Sequence, residues 1–289
     1  MEILTKKINN KPKINKRCSM KKFYTVVLTF MLVSCSLLNN ERSVALQNNQ
    51  GQSIHIKIYN ESANKLAFIL HGLASDMNHQ VVETAKNAFL DNEYTVVTFD
   101  ARYSLGGSYG NVSEVSLNTF LEDLETIVNW AKKQDFYHDS FAIAGHSLGG
   151  AAAILYSHNN DNISFLIPIA PVTGGQQWEN SCIKNMPDFC KQWKEKGYYE
   201  YTQNDKSVNI FYTVVEDAKL YNALELAQNI KAPALFIIAE KDKVIEEKDV
   251  QKVANLMKAK IAKISQSTHN FTKKQNKDDL YKAIYDFIK

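Results

Sequence analysis

From Ser53 onward the chain alternates between two kinds of hydrophobic pattern. Short apolar runs of strand length fall at His55–Tyr59, Leu66–Leu70, Tyr94–Phe99, Phe141–Ala144, Phe165–Ala170, Ala234–Ile238 and Lys260–Ile264. Between them apolar residues recur every three or four positions. The clearest such stripe is Leu117, Phe120, Leu121, Leu124, Ile127, Val128 and Ala131, one face of a helix at a period of 3.6. Similar patterns cover 79–91, 149–158, 246–258 and 278–288. Strands alternating with helices predict an α/β fold, a mostly parallel sheet with helices on both faces.

The alternation stops between Thr173 and Ile230, a stretch too long for a plain connection in a compact domain. This predicts a cap over 173–230, inserted between core segments 53–172 and 231–289. The cap is rich in aromatic residues, Trp178, Phe189, Trp193, Tyr199, Tyr201 and Tyr221 among them. They serve either to pack the cap onto the body or to line a pocket for acyl or aryl groups.

Charge changes the picture at the N-terminus. The chain of 289 residues carries a formal net charge of +3. Residues 1–22 hold eight Lys and Arg against Glu2 alone, so the rest is mildly acidic and offers no basic footprint for nucleic acid. An uncharged apolar run, Phe23 to Ser34, follows. It is too short for a membrane span, which needs about 20 residues. It suits the apolar region of a secretory signal, which takes roughly 7–15. Leu32-Val33-Ser34-Cys35 then resembles the lipobox of bacterial lipoproteins. The resemblance implies a signal peptide over 1–34, lipidation of Cys35, anchoring to a membrane of the cell envelope, and, with Ser36 next, the outer membrane. Residues 35–52, polar and rich in Asn and Gln, read as a tether. Cys182 and Cys190 are the only cysteines after the leader. In an oxidising envelope they are able to pair as a disulfide; otherwise they stand as free thiols. No cysteine or histidine cluster has metal-ligand spacing.

Gly145-His146-Ser147-Leu148-Gly149 matches G-x-S-x-G, after a strand-like run and before a helical one. That is the setting of a nucleophile elbow, where a tight turn holds a serine at the end of a sheet and glycines avoid collisions with nearby backbone. The helix behind it aims its N-terminal amides at the site. A serine hydroxyl needs a base. In this arrangement the acid and the histidine follow the nucleophile. Only His158 and His269 lie beyond Ser147. His158 ends the helix that Ser147 begins, roughly 15 Å away at about 1.5 Å per residue. His269 opens a loop after the last strand and is the candidate base. Asp242, just past Ala234–Ile238, is the candidate acid that orients it, with Glu240 as competitor. The oxyanion hole calls for two backbone donors: the amide of Leu148, after the nucleophile, and that of Leu73, in the loop after Leu66–Leu70.

Taken together, His71-Gly72, Phe99-Asp100-Ala101-Arg102, the elbow, the strand leading to Asp242, and His269-Asn270-Phe271 resemble the α/β-hydrolase superfamily over 54–289. Within it the chain looks most like capped carboxylesterases near the feruloyl esterases and like serine aminopeptidase-type hydrolases. The resemblance implies a serine hydrolase that needs no cofactor or metal, with a small-molecule ester as substrate. Asp100 and Arg102 are expected to be a buried pair shaping the loop beside the site. An aminopeptidase-type alternative requires a cap carboxylate for a free amino terminus, from Glu179, Glu200, Glu216 or Asp217. A third reading is a non-catalytic envelope lipoprotein that uses the fold for binding.

Overall fold

The structure, a computed structural model, describes residues 41–203 and 206–289. The expected signal peptide, the expected lipidation site Cys35 and the first residues of the expected tether lie outside the described residues. The strands are β1 Glu41–Gln47, β2 Ser53–Tyr59, β3 Lys65–Leu70, β4 Tyr94–Asp100, β5 Phe141–His146, β6 Ile163–Ile169, β7 Tyr198–Gln203, β8 Lys206–Phe211, β9 Leu235–Ala239 and β10 Lys260–Ile264. The helices are α1 Gln80–Leu90, α2 Leu117–Ala131, α3 Leu148–His158, α4 Gly175–Asn185, α5 Pro187–Lys196, α6 Thr213–Ala218, α7 Ala223–Ala227, α8 Glu247–Leu256 and α9 Lys274–Ile288.

Eight strands form one sheet in the order β1-β2-β4-β3-β5-β6-β9-β10. Strands β1, β2 and β4 pair antiparallel, and every pairing from β4 through β3 to β10 is parallel. The central strands are buried from end to end, as in Phe141–His146 and Leu235–Ala239. A strand covered on both faces has no polar side, which is why these segments read as unbroken apolar runs. One face packs against α2, α3, α8 and the cap, and the other against α1 and α9. Helix α2 carries a capping box at Ser116 and buries the apolar stripe read from the sequence.

Two features depart from expectation. Residues 41–47, read as tether, form β1 and pair along their full length with β2. The backbone of this edge strand pairs with β2, and Val44 and Leu46 pack against the core, but most of its side chains are exposed, so its apolar pattern is too short to stand out. The cap also contains a small antiparallel hairpin, β7–β8, beside helices α4 to α7.

Candidate active site

Ser147 sits between β5 and α3 with φ +54° and ψ −114°. A non-glycine residue adopts that backbone only where its surroundings impose it. Here the amide of Ser147 donates to Ile169 O at 2.9 Å, and its carbonyl accepts from Ala151 and Val172, each at 3.1 Å. The flanking glycines are steric requirements. A Cβ at Gly145 would lie 2.2 Å from the carbonyl oxygen of Gly149, and one at Gly149 would lie 2.2 Å from that of His71.

Three distant points of the chain meet at this rim of the sheet. Ser147 Oγ–H donates to His269 Nε2 at 2.9 Å, and His269 Nδ1–H donates to Asp242 Oδ2 at 2.7 Å. The proton assignment follows from the carboxylate, which accepts. Asp242 Oδ1 takes the amides of Val244 at 2.8 Å and Ile245 at 3.0 Å, so the turn after β9 locks the carboxylate in place. Glu240, the competitor, faces solvent and accepts from Gln266 and Ser265. His158 is tied to the carbonyl of Leu226 at 3.2 Å, at the far end of α3.

Two histidines that the motif reading passed over complete the surroundings. His146 is buried, and its Nε2–H donates to the carbonyl of His269 at 2.9 Å, strapping the His269 loop to the residue before Ser147. Its ring stacks on His79, with centroids 5.4 Å apart and planes 7° apart. Burial, then the neighbouring His269, keeps His146 well below the ordinary histidine pKa. Burial and His71 lower His79 to about 4. Both rings are therefore neutral near pH 7.

The loop after β3 approaches the elbow closely. A Cβ at Gly72 would stand 3.1 Å from both Ser147 Cβ and His146 Nδ1. Among the described residues the amides of Leu73 and Leu148 donate to no protein group. Asp100 braces this loop by accepting from the amides of Met77 and Gly107, each at 2.8 Å. Asp100 and Arg102 are thus not each other's partners. Arg102 pairs instead with Asp123 at 2.5 Å and Glu122 at 2.8 Å, tying the segment to α2.

A cavity of about 240 Å³ opens onto Ser147 and His269. Its roof is aromatic and apolar: Trp178, Met186, Phe189, Trp193, Tyr199 and Tyr201, from α4, α5 and β7. Phe189, Trp193 and Tyr199 meet one another with centroids 5.0–5.8 Å apart, two of the three pairs edge-to-face. Behind this roof Glu179 is buried and accepts from Tyr212 at 2.5 Å, Lys194 at 2.6 Å and Lys219 at 2.9 Å. Burial alone would raise its pKa, but these donors outweigh burial and lower it to about 2. Cys182 and Cys190 are free and buried, and burial pushes the Cys182 thiol far up. Among the described residues no group of acidic, histidine and cysteine side chains forms a metal site.

The sequence profile of the serine aminopeptidase S33 family matches residues 61–210, just over half of the chain, and that of the dienelactone hydrolase family matches 196–286. No curated protein matches the chain. Among solved structures the fold is similar to the Pyrococcus furiosus esterase Pf2001, at TM-score 0.69 and 17% identity over 97% of each chain. It is also similar to the ferulic acid complex of Est1E from Butyrivibrio proteoclasticus, at TM-score 0.68 and 18% identity over 83% of this chain and 96% of that one. Mouse alpha/beta hydrolase domain-containing protein 10 gives TM-score 0.67 and 18% identity over 86% and 98%. With its sheet order, its elbow at Ser147 and a profile match that takes in the elbow and just over half of the chain, the chain belongs to the serine aminopeptidase S33 family of α/β-hydrolase enzymes.

Proposed function

We propose that the protein hydrolyses uncharged carboxylic esters through an acyl-enzyme on Ser147, and that a lipid on Cys35 tethers it to a bacterial envelope membrane. The observation that carries the catalytic reading is the continuous hydrogen-bond chain from Ser147 Oγ through His269 to Asp242. His269 takes the hydroxyl proton as Oγ attacks the ester carbonyl. The oxygen that becomes negative is received by the amides of Leu73 and Leu148 and by the N-terminus of α3. His269 then returns the proton to the departing alkoxide. The same imidazole activates water to release the acid, and Asp242 holds the tautomer throughout.

The cap argues for esters over peptides with a free amino terminus. Recognising an ammonium group requires an available carboxylate at the pocket. Glu179 is already satisfied by two lysines and a tyrosine. Glu216 pairs with Lys219, and Asp217 accepts from the amide of Leu117 at 2.7 Å. Glu200 is exposed on β7 between Tyr199 and Tyr201, which face the cavity, so it points the other way. What remains is an apolar roof suited to an aryl or acyl group. The Est1E complex with ferulic acid shows that an aromatic acid binds a protein of this fold, which fits the same reading.

The test is direct. Purified protein should turn over p-nitrophenyl esters and leave amino-acid p-nitroanilides untouched, and a fluorophosphonate should label it but not Ser147→Ala. Equal labelling of both proteins, or faster anilide than ester cleavage, overturns the reading. For the anchor, Cys35→Ser should move the protein from the membrane to the soluble fraction; unchanged fractionation removes that part.

A further inference from the structure

His71 follows β3 directly and is only 1% exposed. The amide of Ala101 donates to its Nε2 at 3.0 Å. Since that nitrogen accepts, Nδ1 carries the proton, and it donates to the carbonyl of Gly72 at 2.7 Å. Burial works in the same direction by keeping the ring neutral. Phe120 packs against the ring with its centroid 5.1 Å away at 71°, filling the remaining space.

The consequence lies in the peptide unit that His71 grips. A trans peptide is planar, and its C=O and N–H point in opposite directions. The carbonyl of Gly72 and the amide of Leu73 belong to one such unit, so holding the oxygen decides where the N–H aims. The grip is needed because Gly72 has no side chain to fix its own dihedrals. The next turn also runs through Ala74 at φ +49°, a conformation that needs outside support.

We propose that His71 is a positioning residue for the oxyanion hole: by holding the Gly72 carbonyl it keeps the Leu73 amide aimed at the oxygen that turns negative when Ser147 attacks. The inference rests on the ester-hydrolase reading above. His71 does not line the cavity, so its contribution falls on the transition state and not on ground-state binding.

The experiment compares three full-chain variants on a p-nitrophenyl ester. His71→Phe should lower kcat about 10- to 100-fold and leave KM within about threefold. The affinity for an aryl trifluoromethyl ketone, which forms a tetrahedral oxyanion on the serine, should fall by the same factor as kcat. His71→Asn places an N–H where Nδ1 stood and should recover most of kcat and of ketone affinity. His71→Gln reaches only the Nε2 position and should not. Both amide variants lose one of the two ring bonds, so a merely structural role would move their melting temperatures and activities together. Equal kcat in the Asn and Gln variants, or unchanged ketone affinity in both, overturns the proposal, and this comparison stands even if His71→Phe fails to fold. A parent that is labelled by fluorophosphonate while His71→Phe keeps full kcat sinks this inference alone. A parent that neither labels nor turns over ester sinks both.

Discussion

The floor and the roof of the cavity are built on different principles. The floor is backbone. Glycines at 145 and 149 let main chains touch, Ser147 and Asp242 are fixed by the backbone hydrogen bonds of their turns, and His269 is held between Asp242 and His146. The roof is side chain: aromatic rings meeting at their edges, braced from behind by one buried carboxylate and the lysines and tyrosine that donate to it. A floor made of backbone tolerates almost no substitution, because no rotamer change relieves a collision with a carbonyl. A roof made of interlocking rings can be altered ring by ring, so the proposed substrate preference is open to test there.

The largest effect should come from the floor. His269→Ala should lower kcat about 10⁴- to 10⁶-fold with the melting temperature nearly unchanged, measured by ester turnover and calorimetry. Asp242→Asn should cost about 10⁴-fold through the wrong tautomer, whereas Glu240→Gln should stay within about twofold. A reversal of those two would move the acid to Glu240 and break the account of the floor.

A roof substitution should act on binding. Phe189→Ala removes a ring that lines the cavity at the cap's surface. It should raise KM for aryl esters about 2- to 10-fold and leave acetyl esters unaffected. A fall in kcat for both substrates would show that floor and roof are not separable.

The brace behind the roof is a stability element. Glu179→Gln should lower the melting temperature by about 2–6 °C. Because the folded carboxyl has a pKa of about 2, below its ordinary 4.5, its contribution is present above pH 4.5 and is lost as pH falls from there towards 2. The parent should show this loss on acidification, and the variant should lack it.

The smallest effect concerns His79, held at about 4 against an ordinary 6.5. The unfolded chain binds its proton first, so His79 adds to the rise of stability with pH between about 4 and 6.5. Urea midpoints measured across that range should climb less steeply in His79→Asn than in the parent.

What could be read in advance was whatever leaves a local mark. The elbow announces itself because a pentapeptide between a strand and a helix carries its own steric logic. The choice of His269 over His158 needed only chain order and helix rise. The central strands were visible because both their faces are covered. The stretch 173–230 stood out as a break in alternation, but its interior did not: nothing in the spacing of Glu179, Lys194, Tyr212 and Lys219 says that they converge. The partners of Asp100 and Arg102 were hidden in the same way, since a backbone amide or an acid twenty residues away leaves no pattern around either residue.

By itself, then, the amino-acid sequence determined the α/β architecture and marked the tight turn at Ser147 and the candidate groups that follow it, because periodicity and glycine sterics act between near neighbours. Only the tertiary structure decided that residues 41–47 form a strand, that Glu179, Glu216 and Asp217 already have partners, and that the side chains of His71 and His146 hold the carbonyls of Gly72 and His269. Each of these depends on which backbone group or side chain packing brings within reach, whether a neighbour, as for His71 and Gly72, or a distant one, as for His146 and His269, and no local pattern announces it.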